Sequence, residues 1–144
     1  SSPKYPSLNA LLITTGLMTN IYSQNIPDYQ WENRLLLIIS DDENNIQLVD
    51  QINELNRDKK DLEERKLLVF IVLPDQYKKG LIEENWSDSN ELNLKYNKQE
   101  LKFKVILIGL DGTIKTEKNE MMTNKELFAM IDKMPMRQRE IRGN

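Results

Sequence analysis

Arg34-Leu35-Leu36-Leu37-Ile38-Ile39, broken by Ser40-Asp41-Asp42-Glu43-Asn44-Asn45 and answered by Lys66-Leu67-Leu68-Val69-Phe70-Ile71-Val72-Leu73, decides the fold. Each apolar run has strand length and no polar alternation, the pattern of a strand buried on both faces. The polar break between them carries helix-capping and first-turn residues. Apolar residues then fall at Ile46, Val49, Ile52, Leu55 and Leu62, one face at helical period. Asp50, Glu54, Arg57, Asp58, Lys60 and Asp61 take the opposite face. The spacing predicts one helix over about 44–63. A helix between two buried strands implies parallel pairing and a right-handed crossover.

Working outward, Pro74-Asp75 stops the second strand, and 76–100 is polar apart from Trp86, Leu92 and Tyr96. The last two support a short helix near 88–97. Phe103-Lys104-Val105-Ile106-Leu107-Ile108 is a third strand. Leu110-Asp111-Gly112-Thr113 is a hairpin signal, since Asp-Gly tolerates positive φ. Thr113 to Glu117 returns as an edge strand. Thr123-Asn124-Lys125-Glu126 matches a capping box opening a last helix, which Pro135 ends or interrupts at Met134. The reading is one α/β domain over 28–142. Its expected sheet is mixed, with about four strands and flanking helices, in thioredoxin-like order. A flavodoxin-like sheet is the alternative, disfavoured by the hairpin.

Residues 1–23 carry one charge, Lys4, then an apolar run from Leu8 to about Ile21 and a polar Tyr22-Ser23-Gln24. This is the layout of a signal peptide, too short and polar to span a membrane stably. The expectation is a cleaved leader over 1–23, a lead-in over 24–27, and a periplasmic or extracellular domain.

The 144 residues include no Cys and no His. That excludes thiol nucleophiles, disulfides and His-based triads within this chain, along with zinc sites built on N or S ligands. A dithiol site would open the first helix, where Ser40 to Asn45 stand instead. The net charge of −3 does not favour nucleic acid. It is unevenly spread: 28–100 sums to −7 and 101–144 to +3. No cofactor is expected.

Four stretches carry a resemblance. They are Tyr29-Gln30-Trp31-Glu32-Asn33-Arg34, Leu62-Glu63-Glu64-Arg65, Val105 to Gly112 with Lys115, and Ile131-Asp132-Lys133-Met134-Pro135-Met136-Arg137-Gln138-Arg139-Glu140. Together they resemble the domain-of-unknown-function family DUF4174, which occurs in bacterial exported proteins and in vertebrate sushi-repeat matrix proteins. Leu110 stands where the family pattern often has Lys. The resemblance implies a thioredoxin-like fold with no established activity. It also implies matrix or adhesion roles, with glycosaminoglycan binding among them. Trp31, Gly109, Asp111, Gly112, Asp132 and Pro135 are the residues of its motifs expected to serve structure.

The candidate binding residues are Lys115, Lys133, Met134, Met136, Arg137, Arg139 and Arg142. Arginine forks grip acidic groups, and methionines give an adaptable apolar surface. The expected partner is a protein or acidic glycan. The opposing reading is structural: Met134 packs, Pro135 ends the helix, and Asp132 or Glu140 pairs with an arginine. Asp41, Asp42 and Glu43 offer oxygen ligands for a hard cation, but as helix-terminal acids each contributes only about 0.3–1 kcal/mol. A carboxylate- or metal-dependent enzyme at that loop is one rival function, and a purely structural domain another. Tyr29 and Trp31 are expected to pack rather than to present a sugar platform.

Overall fold

A computed structural model describes residues 27–81 and 85–143. The expected leader therefore lies outside the described residues. After a 3-10 turn over Pro27–Tyr29 come β1 (Arg34–Ser40), α1 (Ile46–Asn56), α2 (Lys59–Glu64) and β2 (Leu67–Val72). Then follow β3 (Gln76–Lys79), β4 (Ser87–Asp88), α3 (Glu91–Tyr96), β5 (Phe103–Ile108), β6 (Ile114–Lys118), α4 (Asn124–Asp132) and α5 (Pro135–Ile141).

The strands form one sheet in the order β4-β3-β2-β1-β5-β6. Among the described residues it has six strands rather than about four. β1 pairs parallel with β2, Leu36 opposite Val69, and antiparallel with β5, Leu36 opposite Leu107. Every residue of β1 is buried, because both sheet faces are covered. Leu36, Ile38, Val69, Ile71, Val105 and Leu107 face α1, α2 and α4. Leu35, Leu37, Ile39, Phe70 and Ile106 face the opposite side, under Leu92 and Tyr96 of α3 and the ring of Tyr29.

Two elements depart from the periodicity. The helix expected over 44–63 is two helices, α1 closing at Arg57 and α2 opening after Asp58. Its buried side is Leu48, Gln51, Leu55 and Leu62, while Ile46 and Val49 are exposed. Gln51 is buried because its side-chain amide works as a strand partner. Its Nε2 donates to the Met122 carbonyl at 3.0 Å, and its Oε1 accepts from the Met122 N–H at 2.8 Å. The polar 76–79 stretch is a strand held by backbone pairing with Phe70, Ile71 and Val72.

The hairpin joins β5 to β6 as expected. The Gly112 N–H donates to the Gly109 carbonyl at 3.0 Å, and the Gly109 N–H donates to that of Thr113 at 2.9 Å. Gly112 sits at φ +84, a left-handed bulge residue after the turn, and the register shifts between Leu107 and Ile108. Thr123 caps α4 in the expected capping box with Glu126. Pro135 ends the approach from α4 and also starts α5, at the first helical position with Met134 as N-cap.

Trp31 does not pack. It is 59% exposed and held at φ +73, because Tyr29 turns the chain tightly by accepting from the Glu32 and Asn33 N–H groups. Tyr29 does pack, edge-on against Phe70 with centroids 5.7 Å apart.

Candidate functional site

Three of the four stretches that carry the resemblance converge on a charge cluster of six residues. Arg34 opens β1, Glu64 and Arg65 close α2, and Asp132, Arg137 and Glu140 come from α4 and α5. The Arg34 guanidinium lies across both oxygens of Glu140, at 3.2 and 3.3 Å, and donates to the Arg65 carbonyl at 2.9 Å. Arg65 holds both oxygens of Asp132, at 3.1 and 2.9 Å, and stacks 4.2 Å over the Phe128 ring. Arg137 reaches Glu64 at 2.6 Å, Asp132 at 2.9 Å and Glu140 at 3.3 Å. Gln138 adds a bond from its amide to the Asp132 carbonyl.

This arrangement perturbs its own titration. The hydrogen bond from Arg137 holds the Glu64 carboxyl below its ordinary range. Burial pushes Asp132 up, but the bonds from Arg65 and Arg137 outweigh it and leave the group lowered. Hydrogen bonding to Glu64 raises Arg137 above the ordinary guanidinium range.

Arg137 is thus 3% exposed and engaged by three carboxylates. Its fork holds the fold together rather than facing a partner. Arg139 on α5 and Arg142 at its C-cap are exposed, two and five residues on, and neither reaches the cluster.

Beside the cluster lies a cavity of about 540 Å³. Its apolar walls are Leu107 from β5 and Leu110 from the turn after it, Met130 and Met134 from α4 and its exit, and Pro135 and Met136 from α5. Lys115 from β6, Lys133 and Asp111 complete it, and the buried Arg34 lines its inner side. Four of the seven expected binding residues, Lys115, Lys133, Met134 and Met136, therefore meet in one place. Arg34, Leu107, Leu110 and Met130 escaped sequence reasoning. The one available signal was an arginine at the head of an otherwise uniformly apolar strand.

The hairpin is anchored beside this cavity. Gln30 donates to the Asp111 carbonyl at 2.8 Å, and the Trp31 N–H donates to the Leu110 carbonyl at 2.6 Å. Asp111 accepts from the Thr113 N–H at 3.0 Å, the Thr113 hydroxyl at 2.8 Å and Lys115 Nζ at 3.1 Å. Those bonds, that from the Thr113 backbone first, lower its carboxyl to about 2. Its lone pairs are committed to the turn. Lys133 has no ion pair among the described residues, and Arg34 Nε is buried without a hydrogen-bond partner there.

The acidic loop after β1 is arranged locally. Asn45 is the N-cap of α1, accepting from the Gln47 N–H at 2.8 Å. Asp41 accepts from the Asn45 amide, and Asp42 from the Asn44 N–H. Among the described residues no three Asp or Glu side chains are placed to hold a metal ion. No helix there is long and apolar enough to cross a membrane.

Comparison with solved structures places the fold. The chain superposes on a reduced 2-Cys peroxiredoxin of Plasmodium vivax with a TM-score of 0.54 and 13% identity, over 80% of this chain and 83% of that one. A mitochondrial 2-Cys peroxiredoxin of Plasmodium falciparum gives 0.52 and 13%, over 73% and 77%. Thioredoxin peroxidase I of Plasmodium yoelii gives 0.54 and 14%, over 82% and 80%. At such identities the likeness concerns the thioredoxin-like fold alone, and this chain has no cysteine. No curated protein matches the sequence. The model of a domain of unknown function, DUF4174, matches residues 25–140, and the chain belongs to that family.

Proposed function

We propose that this domain is a non-redox binding module of an exported protein, and that it takes up an acidic ligand in the cavity between the β5–β6 hairpin and the α4–α5 junction. The carrying observation is the convergence of Lys115 and Lys133 with Met134 and Met136 on one concavity. Lys115 comes from a strand and Lys133 from a helix end, 18 residues apart, so their meeting is a product of the fold. Among the described residues the one carboxylate in the lining, Asp111, is already bound within the turn. The buried Arg34 lines the inner side, and the lysines supply the contact.

The test is binding to immobilised sulfated glycan and polyglutamate by the wild type, by Lys115→Glu with Lys133→Glu, and by Arg139→Ala with Arg142→Ala. The expected result is saturable, salt-sensitive binding that the lysine reversal abolishes and the arginine pair leaves largely intact. Equal binding by the lysine reversal sinks the proposal.

A further inference from the structure

The cavity is more than a basic patch, because its walls are mostly hydrocarbon and thioether. Leu107 and Leu110 form a buried apolar base. Met130, Met134 and Met136 bring three flexible, polarizable side chains to one wall, which suits an adaptable contact with an unbranched chain. The cations stand apart from this base: Lys133 is exposed and free of ion pairs among the described residues, and Lys115 is partly exposed over Asp111. A volume of about 540 Å³ is that of a small-molecule site.

A bare anion would satisfy the lysines and leave the apolar walls in water. A neutral hydrocarbon would do the reverse. Resting on the binding reading above, we infer that the occupant is a small organic anion with an unbranched apolar body, an alkyl carboxylate. The carboxylate sits between Lys115 and Lys133 at the rim. The alkyl chain lies against Leu107, Leu110 and the three methionines. Arg34, paired with Glu140, lines the inner end.

The experiment titrates the full chain with acetate, butanoate, hexanoate, octanoate and octan-1-ol, followed by calorimetry and by methionine-methyl NMR. Burial of each methylene is expected to tighten binding by about fourfold. Octanoate should bind at least about tenfold more tightly than octan-1-ol, a preference that Lys115→Ala with Lys133→Ala removes. The Met130, Met134 and Met136 methyls should shift, while Met122, buried in the core, stays. Met136→Glu places a second carboxylate on the wall and should abolish octanoate binding with its melting temperature kept. Carboxylate binding that is lysine-dependent but indifferent to chain length overturns the alkyl assignment and leaves the binding proposal standing. Equal affinity for octanoate and octan-1-ol, unmoved by the lysine substitutions, overturns both.

Discussion

Replacing Arg137 with methionine tests whether this arginine serves the fold. The substitution keeps the aliphatic stem and removes a guanidinium that is 3% exposed. It deletes bonds of 2.6 Å to Glu64, 2.9 Å to Asp132 and 3.3 Å to Glu140, with a fourth at 3.3 Å to the Glu64 carbonyl. Stranding a fully buried charge costs about 3–5 kcal/mol. Here no carboxylate is stranded: Asp132 keeps Arg65, Glu140 keeps Arg34, and Glu64, 58% exposed, returns to water. The expected loss is therefore about 2–3 kcal/mol, near one charged hydrogen bond net. For a domain of this size that lowers the melting temperature by roughly 8–12 °C. Urea denaturation, with Arg139→Met as reference, reads it directly, and the reference should stay within about 0.5 kcal/mol of wild type. An Arg137→Met protein as stable as the Arg139→Met protein would refute the reasoning and return Arg137 to the surface as a candidate contact.

The turn makes its own prediction in acid. Asp111 titrates at about 2 in the folded protein against 3.8 ordinarily. Its contribution is complete above about pH 4 and lost as pH falls toward 2. Asp111→Asn should flatten that limb of a urea-midpoint profile between pH 4 and 2, whereas an unchanged slope would assign the acid loss elsewhere. At Gly109 an added Cβ would meet Lys115 Cε at 2.5 Å, the far end of a flexible chain. Gly109→Ala should cost little stability but push Lys115 off Asp111, read by NMR titration as a rise of the Asp111 pKa toward its ordinary range. Gln51→Leu leaves the Met122 N–H and carbonyl unpaired in the core, an expected loss of about 2–4 kcal/mol by chemical denaturation.

The central strands were legible because a sheet covered on both faces needs continuous apolar runs, and 34–39, 66–73 and 103–108 carry them. Edge strands obey no such rule. Gln76 to Lys79 is polar, and its place is set by backbone bonds to β2 that no side-chain pattern announces. The face of α1 was misread because Gln51, polar in composition, is apolar in position, its polarity absorbed by the Met122 backbone. At the site, residue type identified Lys115 and Lys133, but their convergence depends on tertiary geometry. Arg137 and Arg139 are indistinguishable in composition. Two residues apart on a helix, they point in different directions, and only the packing of α5 against α2 and β1 tells which one is buried.

The pairing of Arg34 with Glu140 spans 106 residues, and it has a consequence for the order of events during synthesis. At about 5–20 residues per second, β1 is complete some 5–20 s before its counter-ion is made. Throughout that interval the strand destined for the middle of the sheet carries an unmatched charge at its head. The parallel partner β2 is available early, but the site that neutralises Arg34 arrives only with α5. Closure of the sheet's end around Arg34 therefore waits for α5, and a chain cut at Met134 would have strands and helices in place with an arginine that cannot be buried.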